Sequence, residues 1–136
     1  MHATPSPSLK PPLLTAFLLA AASCGAHALL APQTGNAFAA VLLGALGGVY
    51  LGGALRAGTG RDIAVTTTAA VLCIVLAVAG LLGPAWIIPA GFLLHGAWDW
   101  AHHAMERHTV GRWWPPFCAL YDAIVGLYLL LAPHVR

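Results

Sequence analysis

Five long apolar stretches, separated by short segments rich in turn-forming residues, dominate this sequence. They cover about residues 13–31, 37–55, 63–83, 84–103 and 116–132. About 20 helical residues at 1.5 Å per residue cross the roughly 30 Å hydrocarbon core of a bilayer, so each stretch approaches the required length. The stretches are continuously apolar instead of alternating, and a helix satisfies its own backbone hydrogen bonds in lipid. The sequence therefore predicts an all-α, polytopic transmembrane bundle of about five helices, forming a single domain over residues 1–136.

Composition excludes a soluble domain. Only 7% of the residues are charged and 60% are hydrophobic, whereas a soluble domain carries about 25% charged residues. The net charge of +2 is small and scattered, so no nucleic-acid partner is expected and the predicted partner is the lipid bilayer. The three cysteines lie in separate apolar stretches, which indicates reduced thiols and no disulfide framework.

Basic residues between the stretches predict the orientation. The break at Gly83-Pro84 divides an apolar run of about forty residues, which is too long for one span. With five helices, all but one of the basic residues fall on one side: Lys10, Arg56, Arg61, Arg107 and Arg112, with Arg136 opposite. Positive residues stay inside, so the N-terminus is predicted to be cytoplasmic. One alternative stays open: Lys10, the first stretch and Ala26-His27-Ala28 resemble a cleavable signal peptide, and Ala22-Ser23-Cys24 resembles a lipoprotein box. Cleavage would leave four helices in the same orientation.

Ionisable residues cluster in the last two stretches. His95, Asp99 and His102 fall within an arc of roughly 60° on a helix, and His103 flanks them. Glu106 would continue this stripe if the helix extends. Cys118 and Asp122 share one face of the fifth helix at i and i+4. Because the two helices are expected to be antiparallel neighbours, both faces are predicted to meet in the cytoplasmic half of the bundle, in a layer shared with Tyr50 and Thr66-Thr67-Thr68.

Buried ionisable groups in a membrane cost about 2.5–3.5 kcal/mol each on insertion scales, so a cluster of them indicates a function. Imidazole, carboxylate and thiolate are ligands of Zn, Cu and Fe. The sequence thus predicts a transition-metal or cofactor site near the cytoplasmic face, with these candidate ligands: His95, Asp99, His102, His103, Cys118 and Asp122. Two alternatives stay open, a structural subunit whose polar residues only bond between helices, and a small proton-coupled carrier. No catalytic motif assigns an enzyme class.

A repeated small-residue motif marks the second stretch. Gly44, Gly48 and Gly52 recur every four residues, a spacing that lets another helix approach closely. The motif predicts packing, within the chain or between two copies in a homo-oligomer.

The pattern His95-x-x-Trp98-Asp99-x-x-His102-His103, followed by Cys118-Ala119-x-x-Asp122, resembles a family of small bacterial polytopic membrane proteins that is classed as a domain of unknown function. The resemblance covers about Phe92–Leu131 and implies a shared site and a bacterial inner-membrane location, with no activity attached. Asp99-x-x-His102-His103 also looks like one box of the membrane di-iron hydroxylases and desaturases. Those enzymes carry a set of three such boxes with at least eight His in all, whereas this chain has seven His, which argues against a di-iron oxygenase within one subunit.

Overall fold

The structure is a computed structural model that describes residues 9–104 and 110–132. In these ranges it contains no strand, and the helices are α1 (Lys10–Leu29), α2 (Pro32–Ala57), α3 (Gly60–Leu82), α4 (Ile87–Ala104) and α5 (Trp114–Leu131). Among the described residues, α1, α2, α3 and α5 are long and apolar enough to cross a membrane. Helix α4 is not, because three histidines and an aspartate lower its hydropathy. The predicted all-α bundle of membrane-type helices is confirmed.

Proline and a side-chain cap set several helix starts. Prolines occupy the first turns of α1, α2 and α5, where a missing N–H costs nothing. At the start of α3, Thr59 and Asp62 form a reciprocal capping box. The sequence predicts a break between the first two apolar stretches at residues 32–36, a segment rich in turn-forming residues, but α2 already begins at Pro32. Proline there fixes the backbone dihedral that a first helical turn needs, so it starts the helix instead of separating two helices.

The helices pack as neighbours in the order α1, α5, α4, α3, α2. The α4–α5 and α2–α3 contacts are the most extensive, and α2 also touches α1 and α4. The core contains Leu43, Ile88, Phe92 and Leu129, all nearly inaccessible. Many large aliphatic side chains point outward, among them Leu29 and Leu82, which are 89% and 85% exposed. A surface this apolar suits lipid and would aggregate in water.

Close helix contacts depend on glycines other than the predicted motif. A Cβ on Gly47 would lie 2.5 Å from the Cα of Ala70, so α2 and α3 touch backbone to backbone there. A Cβ on Gly44 would be in ordinary contact with the side chain of Ile74, at 3.9 Å, whereas a Cβ on Gly48 or Gly52 would meet nothing within 4 Å. The close contact of α2 with α3 therefore depends on Gly47, and most of the Gly44/Gly48/Gly52 stripe faces outward.

One end of the bundle collects basic residues. The start of α1 and the start of α5 line one cavity, and the end of α2 lines a neighbouring cavity with the start of α5. Helix α3 begins immediately after α2, so Lys10, Arg56, Arg61 and Arg112 all lie at this end. We call it the basic end. Arg107 and Arg136 lie outside the described residues.

Candidate functional site

Helix α4 presents two ionisable side chains to α5 from successive turns. His95 and Asp99 are four residues apart, which places both on one face of α4. Between them along the chain, Gly96 faces α5: a Cβ at this position would lie 3.2 Å from the Cβ of Asp122 and 3.4 Å from the carbonyl oxygen of Ala119. The absence of a side chain at Gly96 thus lets Asp122 approach α4.

The resulting cluster joins one imidazole and two carboxylates. His95 Nδ1 lies 2.7 Å from Asp122 Oδ2 and donates a hydrogen bond to it. The same nitrogen lies 3.2 Å from Asp99 Oδ2. One ligand atom from each residue lies within 4.8 Å of the others. We call these three residues the His-Asp cluster.

The cluster is shielded from the surface. Asp99 and Asp122 are both 0% exposed and His95 is 5% exposed. Among the described residues, three oxygens form no hydrogen bond, namely Asp99 Oδ1, Asp99 Oδ2 and Asp122 Oδ1, although Asp99 Oδ2 lies 3.2 Å from His95 Nδ1. A buried carboxylate oxygen without a partner is costly, and such groups are rare in native proteins. Three such carboxylate oxygens close together indicate a binding site for a cation.

The cluster lies near the middle of its two helices. His95 is the ninth of the 18 residues of α4, and Asp122 is the ninth of the 18 residues of α5. The sequence predicts these side chains in the cytoplasmic half of the bundle, whereas Asp122 lies at the middle of its helix, because α5 begins at Trp114, two residues earlier than expected. Asp99 lies one turn closer to the basic end than His95.

The other three predicted ligands lie outside the cluster. His102 is 6% exposed, and its Nδ1 is 3.2 Å from the carbonyl oxygen of Trp98, to which it donates. Half-buried His103 packs against the ring of Trp100, with the centroids 5.9 Å apart. Cys118 is buried as a free thiol, one turn before Asp122. Of the six predicted ligands, the structure brings together only His95, Asp99 and Asp122.

Tyr50 connects the cluster to His102. Its ring centroid is 6.2 Å from that of His95 and 5.2 Å from that of His102. The hydroxyl is buried and makes no hydrogen bond among the described residues, although it is close enough to Asp99 for an electrostatic interaction. The sequence placed Tyr50 in this polar layer but gave it no role, whereas the structure puts it between two imidazoles.

A second set of polar contacts joins α1 to α5. His27 Nδ1 lies 3.2 Å from the hydroxyl of Tyr128, and Ser23 Oγ lies 2.9 Å from the hydroxyl of Tyr121. Gly35 leaves room for the buried His27 ring, since a Cβ there would lie 3.1 Å from His27 Nε2. These contacts hold helices together, as expected for an isolated helical histidine. Sequence reasoning missed both tyrosine partners because they lie about a hundred residues away.

All three cysteines are free, as predicted. Cys24 is half-buried, and Cys73 and Cys118 are buried. Cys73 lines a small apolar cavity of about 190 Å³ between α3 and α4, together with His95 and Trp98. None of the three belongs to the group of ligand atoms at the His-Asp cluster.

Chemically, the cluster can bind a cation or hold and release a proton. One imidazole nitrogen and one carboxylate oxygen from each of two aspartates lie within 4.8 Å of one another, buried inside the bundle.

Comparison with known proteins defines the family but brings no activity. No curated protein and no solved structure shows a significant match to this chain. A family model matches residues 12–134, nearly the whole chain, and it carries the description "Family of unknown function (DUF6010)". This chain therefore belongs to DUF6010, a family of unknown function.

Proposed function

We propose that this protein is an integral membrane protein that binds one transition-metal ion at the His-Asp cluster. The observation that carries the proposal is the set of three buried carboxylate oxygens that form no hydrogen bond among the described residues, all beside one imidazole. A divalent cation would neutralise both carboxylates and satisfy these oxygens together. Pairing with a metal is one of the few ways in which buried charges are stabilised.

The spacing of the ligand atoms suits a small tetrahedral ion. Metal–ligand distances of about 2.0–2.2 Å put neighbouring ligand atoms of a tetrahedral zinc site about 3.4 Å apart. The separation of His95 Nδ1 from Asp99 Oδ2 is 3.2 Å, and that from Asp122 Oδ2 is 2.7 Å. The second distance has to lengthen by about 0.7 Å and the first by about 0.2 Å, while the oxygens of the two aspartates, which lie within 4.8 Å of each other, have to come to the same spacing. Three protein ligands leave one position for water or a substrate, as in catalytic zinc sites.

The mixture of one nitrogen with carboxylate oxygens favours zinc, iron or manganese over copper(I), which prefers sulfur. Cys118 stays outside the ligand group, so a thiolate site is not proposed. Tyr50 stands next to Asp99, and its hydroxyl can donate a hydrogen bond to that carboxylate. Such a contact outside the ligand group would orient the Asp99 carboxylate toward the ion.

Metal analysis of the purified protein tests this proposal. Protein purified without chelators should contain close to one equivalent of a transition metal, measured by inductively coupled plasma mass spectrometry. Asp99→Asn and Asp122→Asn should each lose most of it, since even outer-shell changes lower metal affinity about 10–100-fold. Asp62→Asn is the matched control, because Asp62 caps α3 at the basic end and lies outside the cluster. Metal-free wild-type protein that also takes up no zinc on dialysis would end this proposal.

A proton relay is the second candidate, and the position of Tyr50 favours it. The rings of His95, Tyr50 and His102 follow one another at centroid distances of 6.2 and 5.2 Å. This series leads from the His-Asp cluster toward the C-terminal end of α4, which lies at the basic end. Chains of His and acidic residues in membranes commonly mark proton paths.

The relay is tested in vesicles that contain a pH-sensitive dye. Proton movement driven by a pH gradient should fall on Tyr50→Phe, which removes the hydroxyl and keeps the ring. Tyr128→Phe is the control, since Tyr128 bonds to His27 in a different layer. Equal proton movement in the wild type, in both variants and in protein-free vesicles would exclude the relay.

The membrane arrangement is part of the same proposal. We assign the basic end to the cytoplasmic side, because Lys and Arg prefer that side of a membrane. We assign the protein to the inner membrane of a bacterium. The outward-facing Gly48 and Gly52 are offered as the contact between two copies of the chain. Gly48→Leu should then convert a dimer into a monomer in detergent without loss of metal, and an unchanged dimer would assign the contact elsewhere.

A further inference from the structure

A crevice opens at the basic end between the start of α1 and the end of α2. Two cavities form it, one of about 550 Å³ and one of about 440 Å³, and Trp113 and Trp114 line both. The larger is also lined by Arg56 and the adjoining residues of α2, and the smaller by Pro11, Pro12, Thr15 and Phe117. Cavities of about 300–1,000 Å³ are typical of small-molecule sites.

The larger cavity offers positive charge and an unused donor. Arg56 lines it, is exposed, and forms no ion pair or hydrogen bond with any residue in the described part of the chain. The indole N–H of Trp114 is buried and likewise lacks an acceptor there. The start of α5 adds no backbone donors, because Trp114 and Phe117 already donate to Gly111 and Trp113, and Pro115 and Pro116 have none. Recognition of a ligand in this cavity therefore depends on the guanidinium and the indole.

The smaller cavity is apolar. Its lining consists of proline and aromatic surface together with Thr15, whose hydroxyl already donates to the carbonyl oxygen of Pro11. Because the two cavities share two tryptophans, a molecule with an anionic head and an apolar tail can occupy both. Tryptophans at the end of a bundle lie at the level of lipid headgroups, which places the crevice where such molecules are found.

We propose that this crevice binds an anionic phospholipid. The phosphate contacts Arg56 and, once the Trp114 ring turns its buried indole N–H toward the cavity, accepts a hydrogen bond from it, while the upper part of an acyl chain lies against Phe117 and the prolines of α1. A free phosphate ion would use only the larger cavity and gain nothing from the smaller one. This site is separate from the His-Asp cluster and does not depend on the metal proposal.

Lipid retention measured by native mass spectrometry tests the proposal. Full-length protein is moved from phosphatidylglycerol vesicles, or from phosphatidylcholine vesicles, into detergent, and the bound lipid is counted. Wild-type protein should retain phosphatidylglycerol and not phosphatidylcholine. Arg56→Gln should weaken retention about tenfold or more, given the strength of hydrogen bonds to charged groups. Trp114→Phe keeps an aromatic ring and removes the donor, and should cause a smaller loss.

Arg61→Gln is the matched control. It removes the same charge at the same end of the bundle, from a residue that does not line the crevice. Equal losses for Arg56→Gln and Arg61→Gln would overturn the proposal, because they would show attraction to the whole basic end. Equal retention of both lipids, or displacement of the lipid by millimolar inorganic phosphate, would also overturn it. Each variant is first checked for a single peak in size-exclusion chromatography. If Arg56→Gln does not fold, the test uses Trp114→Phe instead, and unchanged retention of phosphatidylglycerol by that variant overturns the proposal.

Discussion

Replacing Gly96 tests whether close approach of α4 and α5 creates the His-Asp cluster. A Cβ at position 96 would lie 3.2 Å from the Cβ of Asp122, whereas carbon atoms in good contact lie about 3.5–4.0 Å apart. Gly96→Ala therefore needs α5 to move by only about 0.3–0.8 Å. The hydrogen bond from His95 to Asp122, now 2.7 Å long, can survive most of that movement.

Gly96→Leu is expected to separate the two helices. Three further carbon atoms would have to enter a space already filled by Asp122 and the Ala119 carbonyl. Overpacking of this kind typically costs about 1–3 kcal/mol and shifts the backbone. A shift of about 1 Å would place His95 and Asp122 beyond hydrogen-bond range, and a shift of about 2 Å would also carry their ligand atoms well past the roughly 3.4 Å spacing around a tetrahedral zinc ion.

The assay is zinc binding by equilibrium dialysis, together with thermal unfolding in detergent. Gly96→Ala should bind zinc with little loss, and Gly96→Leu should lose most binding and unfold at a lower temperature. Gly25→Leu is the control, because a Cβ there meets nothing within 4 Å and Gly25 is not part of the proposed contact between two copies. If Gly96→Leu binds zinc as tightly as the wild type, the geometry described for α4 and α5 is refuted.

Three further predictions follow from the packing. Cys118→Ser should leave metal content unchanged, since its sulfur lies outside the ligand group; loss of metal would bring the thiol back as a ligand. Gly47→Val should prevent correct packing of α2 on α3, because its Cβ would lie 2.5 Å from the Cα of Ala70; a normal yield of monodisperse protein would contradict this. Tyr128→Phe removes the hydrogen bond with His27 and should lower stability by only about 0.6 kcal/mol, with metal content preserved; a loss of several kcal/mol or of metal would assign this pair a larger role.

The helical repeat predicted part of the site. His95 and Asp99 share one face of α4 wherever that helix packs, because four residues bring a helix almost back to the same side. Whether Asp122 or Cys118 of α5 meets that face depends on how the two helices are shifted along each other. Gly96 determines that approach, and nothing in the local sequence separates it from the other glycines of the chain.

The stripe on α4 also faces more than one neighbour. His102 continues the line of His95 and Asp99, yet its partners are Trp98 and Tyr50, a residue of α2. A stripe about 10 Å long (seven residues at 1.5 Å each) crosses from one neighbouring helix to another, so shared periodicity did not ensure a shared ligand group.

Helix α2 shows a different limit. It is apolar on all sides, so its buried face does not stand out in the sequence. Both Gly47 and the stripe Gly44, Gly48 and Gly52 fit a close helix contact, and only the structure shows that Ala70 packs on Gly47.

X-ray absorption at the zinc edge of zinc-loaded protein most directly tests whether His95, Asp99 and Asp122 together hold a metal. The spectrum should show only nitrogen and oxygen neighbours at about 2.0–2.2 Å, with the outer-shell signal of a single imidazole. A sulfur neighbour at about 2.3 Å, the signals of two or more imidazoles, or zinc that washes away before measurement would contradict the proposed centre.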